Sequence, residues 1–339
     1  MWFGTASGLN KYDADSFNLF KKQEDLPNTL SDNLIRTIYE DSLGNLWIGT
    51  WEGGLNYYDI HTGEITQYLH SGEDPHSIGS NQIRTILEDQ KGNVWIGTIG
   101  GGLNLYHRDT NYFSSFINDE NDPNSISSNN IFSLTEAPDG TIWIGTEKGG
   151  LNHFDPDTGL FEQYDLWDGE DVTIEIVLDE LGNLWIGNWG AGLTYFEPST
   201  GKTTNFKTEL HNPNSLSNDF ILSLHIDDEV GLCIGTDGGG LNYYDPSTVL
   251  FQHFRHNPKD SESIANDHVR DIIVTDSGLL IFATWGGGVS ILSDEYNQYN
   301  HFKNAANRDD ELSNNNVSAF YEDENGTIWI GTDGGGLNK

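Results

Sequence analysis

A ten-residue phrase, WIGTWEGGLN from Trp47, returns along the chain at nearly constant spacing. Its other copies are WFGTASGLN from Trp2, WIGTIGGGLN from Trp95, WIGTEKGGLN from Trp143, WIGNWGAGLT from Trp185, CIGTDGGGLN from Cys233, IFATWGGGVS from Ile281 and WIGTDGGGLN from Trp329. Successive offsets are 45, 48, 48, 42, 48, 48 and 48 residues. Self-similarity at a fixed period marks a repeat architecture, whose units bury apolar surface against their neighbours.

Within one period every local signal is β. In residues 80–118, NQIRTILED is β-branched and alternating, QKG is a turn and NVWIGT is a short apolar run. IGGG turns again, LNLYH follows, RDTN turns the chain and YFSSFIN is a fourth strand-like run. No window carries a 3.6-residue apolar stripe. Four antiparallel strands per period of this length are the signature of a β-propeller blade.

The turns DSLG (Asp41), DQKG (Asp89), DELG (Asp179) and DENG (Asp323) place Asp first and Gly three residues on. Asp accepts a backbone N–H inside such a turn and Gly takes the positive-φ position. The pattern fails at Ala137 and Thr275, so these carboxylates read as turn-formers rather than catalysts. Trp2, Trp47, Trp95, Trp143, Trp185 and Trp329 share one register and read as packing residues between blades. Cys233 and Ile281, both residue types that favour burial, stand at the same register.

First-strand runs begin near 34, 82, 130, 172, 220, 268 and 316, while the Trp strand occurs eight times, the first copy near residue 1. The first copy lacks a preceding strand and the last lacks a fourth. Joining the two ends closes a ring by a shared blade. The expectation is therefore a seven-bladed, all-β propeller of four-stranded antiparallel blades, with eight blades or an open fragment as alternatives. Polar links such as EDPHSIGSNQ and NDPNSISSNN recur too regularly to be domain linkers. The expectation is a single domain over residues 1–339, with each link's Ser-[Leu/Ile] pair tucked under a blade edge. The chain starts inside a repeat and has no basic and apolar leader, so a piece of a longer protein is expected.

Charge narrows the partners. Lys and Arg total 16 against 53 Asp and Glu, a formal charge of −37. Such a surface repels phosphate backbones, so no nucleic-acid partner is expected. No apolar run is long enough for a membrane span. One cysteine, Cys233, excludes an internal disulfide.

The pattern of an apolar strand, then acidic turn, [LV]-W-I-G-T and GGLN-x-[YF]-D resembles the two-component regulator propeller repeat. It reads IYEDSLGNLWIGTWEGGLNYYD at 38–59 and FYEDENGTIWIGTDGGGLN at 320–338. The likeness covers essentially the whole chain and is weaker around Asn188, Ala191 and Thr194 and around Ala283 and Ser290. The resemblance implies the extracytoplasmic sensor region of histidine kinases, often hybrid ones. In that family two seven-bladed propellers precede an immunoglobulin-like domain, a membrane helix and the kinase. Better-known members respond to oligosaccharides, and dimerisation fits kinases that signal as dimers. A periplasmic or extracellular location follows from the resemblance alone.

Catalytic and metal motifs are missing. Gly201–Thr203 would need a Gly at Phe196 to make a P-loop. No His-Glu-x-x-His, EF-hand loop or Gly-x-Ser-x-Gly elbow occurs, and the 11 histidines are scattered. No cofactor, no metal site and no catalytic residue is assigned.

The residue after the Thr varies inside a constant frame: Trp51, Ile99, Glu147, Trp189, Asp237, Trp285 and Asp333. A variable slot on a rigid scaffold is where function sits. Trp51, Trp189 and Trp285 make a candidate aromatic platform for sugar rings, with Glu52, Glu147, Lys148, Asp237 and Asp333 as hydroxyl partners. The alternative is that the indoles only pack. Arg36, Arg84 and Arg270 share a second register with Phe132, Ile174, Leu222 and Ser318. They form a candidate set at a channel mouth for a uronate or sulfate, the alternative being pairing with Glu40 and Glu88. The reading is a glycan-binding sensor propeller and not an enzyme. A propeller lyase, glycosidase or quinoprotein dehydrogenase, or a protein-interaction scaffold, are the alternatives.

Overall fold

Each period folds into one antiparallel sheet, as alternating β-branched runs between Gly/Asn/Asp turns require. The computed structural model describes residues 2–5, 8–12, 17–23, 28–167, 172–227, 231–260, 262–274, 279–293, 298–302, 304, 312, 314–322, 328–332 and 336–338. The chain forms two compact units, Met1–Ile176 and Val177–Lys339.

The first unit opens with a three-stranded sheet of β1 (Trp2–Thr5), β2 (Gly8–Tyr12) and β3 (Phe17–Phe20). Blade 1 holds β4 (Ile35–Glu40), β5 (Leu46–Thr50), β6 (Leu55–Tyr58) and β7 (Ile65–Tyr68). Blade 2 holds β8 (Ile83–Glu88), β9 (Val94–Thr98), β10 (Leu103–His107) and β11 (Tyr112–Phe116). Blade 3 holds β12 (Ile131–Glu136), β13 (Ile142–Thr146), β14 (Leu151–Asp155) and β15 (Leu160–Tyr164).

The division falls within β16 (Thr173–Leu178), the first strand of blade 4, which continues with β17 (Leu184–Asn188), β18 (Gly192–Glu197) and β19 (Lys202–Phe206). Blade 5 holds β20 (Ile221–Asp227), β21 (Gly231–Thr236), β22 (Leu241–Asp245) and β23 (Leu250–Phe254). Blade 6 holds β24 (Val269–Val274), β25 (Leu280–Thr284), β26 (Gly288–Ser293) and β27 (Gln298–Phe302). A three-stranded sheet of β28 (Val317–Glu322), β29 (Ile328–Thr332) and β30 (Gly336–Asn338) ends the chain.

The fold is thus a β-propeller with six four-stranded blades, and the expected seven are corrected. The seventh came from letting the first and last copies share one blade. Instead β1–β3 and β28–β30 each form a sheet of their own, with three strands apiece. No helix occurs among the described residues.

The packing register follows the indoles. Trp47 of blade 1 lies in one cluster with Ile83, Ile86, Val94, Ile96, Tyr106 and Phe113 of blade 2. Trp95 packs likewise against blade 3, Trp185 against blade 5, and Cys233 against blade 6. Ile281 packs against Val317 and Ile330. Trp143 is buried and stacks on His153 at 4.2 Å. The side chains of Trp2 and Trp329 lie outside the described ones. Gly49 lets this packing happen, since a Cβ there would sit 2.5 Å from Ile83 Cγ2 of the next blade.

The links bury their apolar residue as expected: Leu30, Ile78, Ile126, Leu216, Ile264 and Leu312 are almost fully inaccessible. They also cover the outer strand of their own blade, where Phe113, Phe161 and Phe251 donate N–H groups to the carbonyls of His76, Asn124 and Asn214. Covering an edge in this way removes a template for unwanted strand pairing.

Candidate functional site

The loop between second and third strands is tied to two links. Trp51, Ile99, Glu147, Asp237 and Trp285 donate their backbone N–H to Leu34, Gln82, Asn130, Phe220 and His268, each just before its own blade's first strand. Gly54, Gly102, Gly192, Gly240 and Gly288 donate to Asn81, Asn129, Asp219, Asp267 and Asn315 of the following link. The variable slot therefore shares a face with the entry to the first strands. The same Asx residues close the links with their side chains, as when Asn129 Oδ1 accepts Asn118 N–H at 2.7 Å and Asp219 Oδ1 accepts Thr208 N–H at 2.7 Å.

The arginine register coincides with a β-bulge. Pairing slips between Ile35 and Thr37, between Ile83 and Thr85, and between Val269 and Asp271, leaving Arg36, Arg84 and Arg270 as the extra residues. A bulge re-aims its side chain out of the strand's alternation. Arg36 comes to lie over the Trp51 ring at 4.8 Å, Arg84 over Phe132 at 5.1 Å and Arg270 over Trp285 at 4.4 Å. These are stacking distances for a guanidinium on a ring. Glu88 accepts from Arg108 at 2.8 Å and from Ser42 N–H at 2.6 Å.

In the first unit, Glu147 accepts the Asn130 side-chain amide at 2.8 Å, and Glu52 and Lys148 are exposed. In the second unit the slots join into a strip. Trp189 bridges to Phe220, and their rings meet edge-on at 5.0 Å. Asp237 donates its N–H to Phe220 O, bridges to His268 and holds His268 Nδ1 at 2.5 Å. Trp285 donates its N–H to His268 O at 3.0 Å and carries Arg270. Trp189, Phe220 and Trp285 are 40%, 41% and 38% exposed. Asp333 lies outside the described residues.

Phe220 and His268 were not among the sequence candidates. Their signal is positional: both stand immediately ahead of a first strand, where each is bridged to the previous blade's slot residue. A separate pocket of about 330 Å³, lined by Glu209, His211, Leu216, His253 and Arg255, opens between a link and β23. Among the described residues no group of three or more His, Cys, Asp or Glu gathers as a metal site.

The profile of the two-component regulator propeller family matches residues 29–52, 77–100, 125–148 and 311–334. At these four places the chain carries repeats that match the model of that family. Each match on these regulator repeats runs from a link through a first strand and its Asp turn to the slot after the Thr. The fold is shared with the extracellular domain of a protein described as a hybrid two-component system of B. thetaiotaomicron, at 20% identity and TM-score 0.53 over 99% of this chain and 61% of that one. It is shared with the extracellular domain of a protein described as a one-component system of the same organism, at 23% identity and TM-score 0.60 over 98% and 48%. Virginiamycin B lyase of Staphylococcus aureus also shares it, at 17% identity and TM-score 0.64 over 94% and 96%. The chain thus spans between 48% and 61% of the length of the two B. thetaiotaomicron domains. No curated protein matches the chain.

Proposed function

We propose that this chain is the ligand-binding sensor propeller of a two-component signalling protein, working outside the cytoplasm and recognising an oligosaccharide or other glycan fragment. The observation that carries the reading is the strip Trp189–Phe220–Asp237–His268–Trp285, with three partly exposed aromatic rings in bridged slots. Adjacent exposed rings are uncommon on a protein surface and suit ligands with apolar faces. Sugar C–H faces stack on indoles, while a carboxylate and an imidazole between the rings take hydroxyls. The regulator repeats support the sensor role. Trp51, Glu52, Glu147 and Lys148 are proposed as ligand contacts of the first unit, considered by itself. The parent protein is proposed to signal as a dimer, which light scattering of the chain with and without sugar would test.

Calorimetry against an oligosaccharide panel tests the reading. Trp189→Ala together with Trp285→Ala is expected to abolish binding of the sugar that the parent chain takes up. Unchanged affinity would remove this strip as the site, and turnover of any sugar would favour an enzyme on the same fold.

A further inference from the structure

We propose that Arg270 seats the anionic group of an acidic sugar, so that the glycan read by the strip carries a carboxylate or sulfate. This rests on the glycan-sensing reading and names its ligand class. Arg270 is the bulged residue of β24, turned out of the ladder onto Trp285. It is exposed, and among the described residues its N–H donors meet no carboxylate or carbonyl. The guanidinium lies 4.4 Å from the indole centroid on an exposed side chain, so its donors face solvent beside the ring. These donors form a fork matched to a carboxylate.

The neighbours complete the seat. His268 has Nδ1 occupied by Asp237 at 2.5 Å, so Nε2 is the ring atom left for a ligand hydroxyl. The carboxylate of Asp237, the acid within the strip, is already turned to that imidazole. Leu222 occupies the corresponding bulge in blade 5, so Arg270 supplies the guanidinium beside the rings of this unit. The Trp189–Phe220 pair offers the apolar surface for the next sugar.

The test is calorimetry on the full chain with a hexuronic acid trisaccharide, its methyl ester and a sulfated disaccharide. The acid is expected to bind about 10-fold to 100-fold more tightly than the ester, as a charge-assisted pair requires. Arg270→Gln is expected to bring acid binding down to the level of ester binding, and Arg270→Lys to restore part of the difference. Acid binding should weaken with added salt and ester binding should not, a readout that needs no variant. Tighter binding of the sulfated sugar than of the uronate, lost in Arg270→Gln, supports the seat and assigns sulfate. Equal binding of acid and ester, or equal loss of both in Arg270→Gln, overturns the anion seat and leaves glycan sensing standing. Failure of every sugar, neutral or acidic, overturns both.

Discussion

The carboxylate of Asp89 accepts the indole N–H of Trp95 at 2.8 Å, with both side chains buried. The same side chain accepts the turn N–H groups of Lys91 and Asn93 at 2.9 Å. One residue thus shapes the turn and fixes the indole that packs on the next blade. Asp41 does the same for Trp47 at 3.2 Å, whereas Asp179 holds the Tyr195 hydroxyl at 2.8 Å. Asp89→Ala is expected to destabilise the fold by about 3 kcal/mol, because it strands a buried indole N–H and loses charge-assisted bonds. Urea unfolding measures it. A cost no larger than that of a surface substitution would contradict the tether.

The tryptophans fall into two energetic classes. Trp47 is fully buried between blades 1 and 2, and Trp47→Ala is expected to cost about 3–5 kcal/mol. Trp285→Ala, at a ring 38% exposed, should stay within about 1 kcal/mol. Thermal melts of the two variants compare them directly. Equal losses would mean that the slot indole is also a packing residue.

How far the sequence could be read follows from what each residue contacts. The indole at Trp47 and its replacements Cys233 and Ile281 keep one register because each fills the same gap between neighbouring sheets, so composition and spacing expose it. The blade count was not readable, because eight copies of one strand do not say whether the end copies share a sheet. Arg270 over Trp285 was also hidden. The two residues belong to separate registers of the repeat, and only the bulge at Val269/Asp271 explains why one side chain lies on the other. The Asp237–His268 pair joins residues 31 apart in adjacent blades, and no local pattern announces such a contact.

Gly102 and Gly140 separate two kinds of constraint. Both have positive φ, at 69° and 83°. A Cβ at Gly102 would sit 2.2 Å from Phe116 O, while Gly140 has open space. Gly140→Ala should cost about 1–2 kcal/mol from backbone strain alone. Gly102→Ala adds a clash with backbone and should exceed about 3 kcal/mol. Denaturant midpoints for both variants measure the gap, and similar losses would contradict a steric wall at Gly102.

His153 gives the fold a pH dependence of known sign. Its ring stacks on Trp143, and Nε2 lies 2.7 Å from Thr141 Oγ1. Burial pushes its pKa below the ordinary value of 6.5, against the pull of Asp139. The folded state therefore disfavours the imidazolium. The contribution is fully present above the ordinary value and is lost as pH falls through it toward the folded value. His153→Phe keeps a ring against Trp143 and removes the titration. Urea unfolding at about pH 8 and about pH 5.5 should show the variant gaining relative to the parent chain on acidification. A gap independent of pH would contradict the assignment.

Crystals of the full chain soaked with the tightest-binding sugar of the panel test the central claim most directly. The account predicts a sugar ring stacked on Trp285 or on the Trp189–Phe220 pair, within hydrogen-bond reach of His268 Nε2. Sugar bound instead in the pocket beside His211 and His253, with the strip bare, would contradict it.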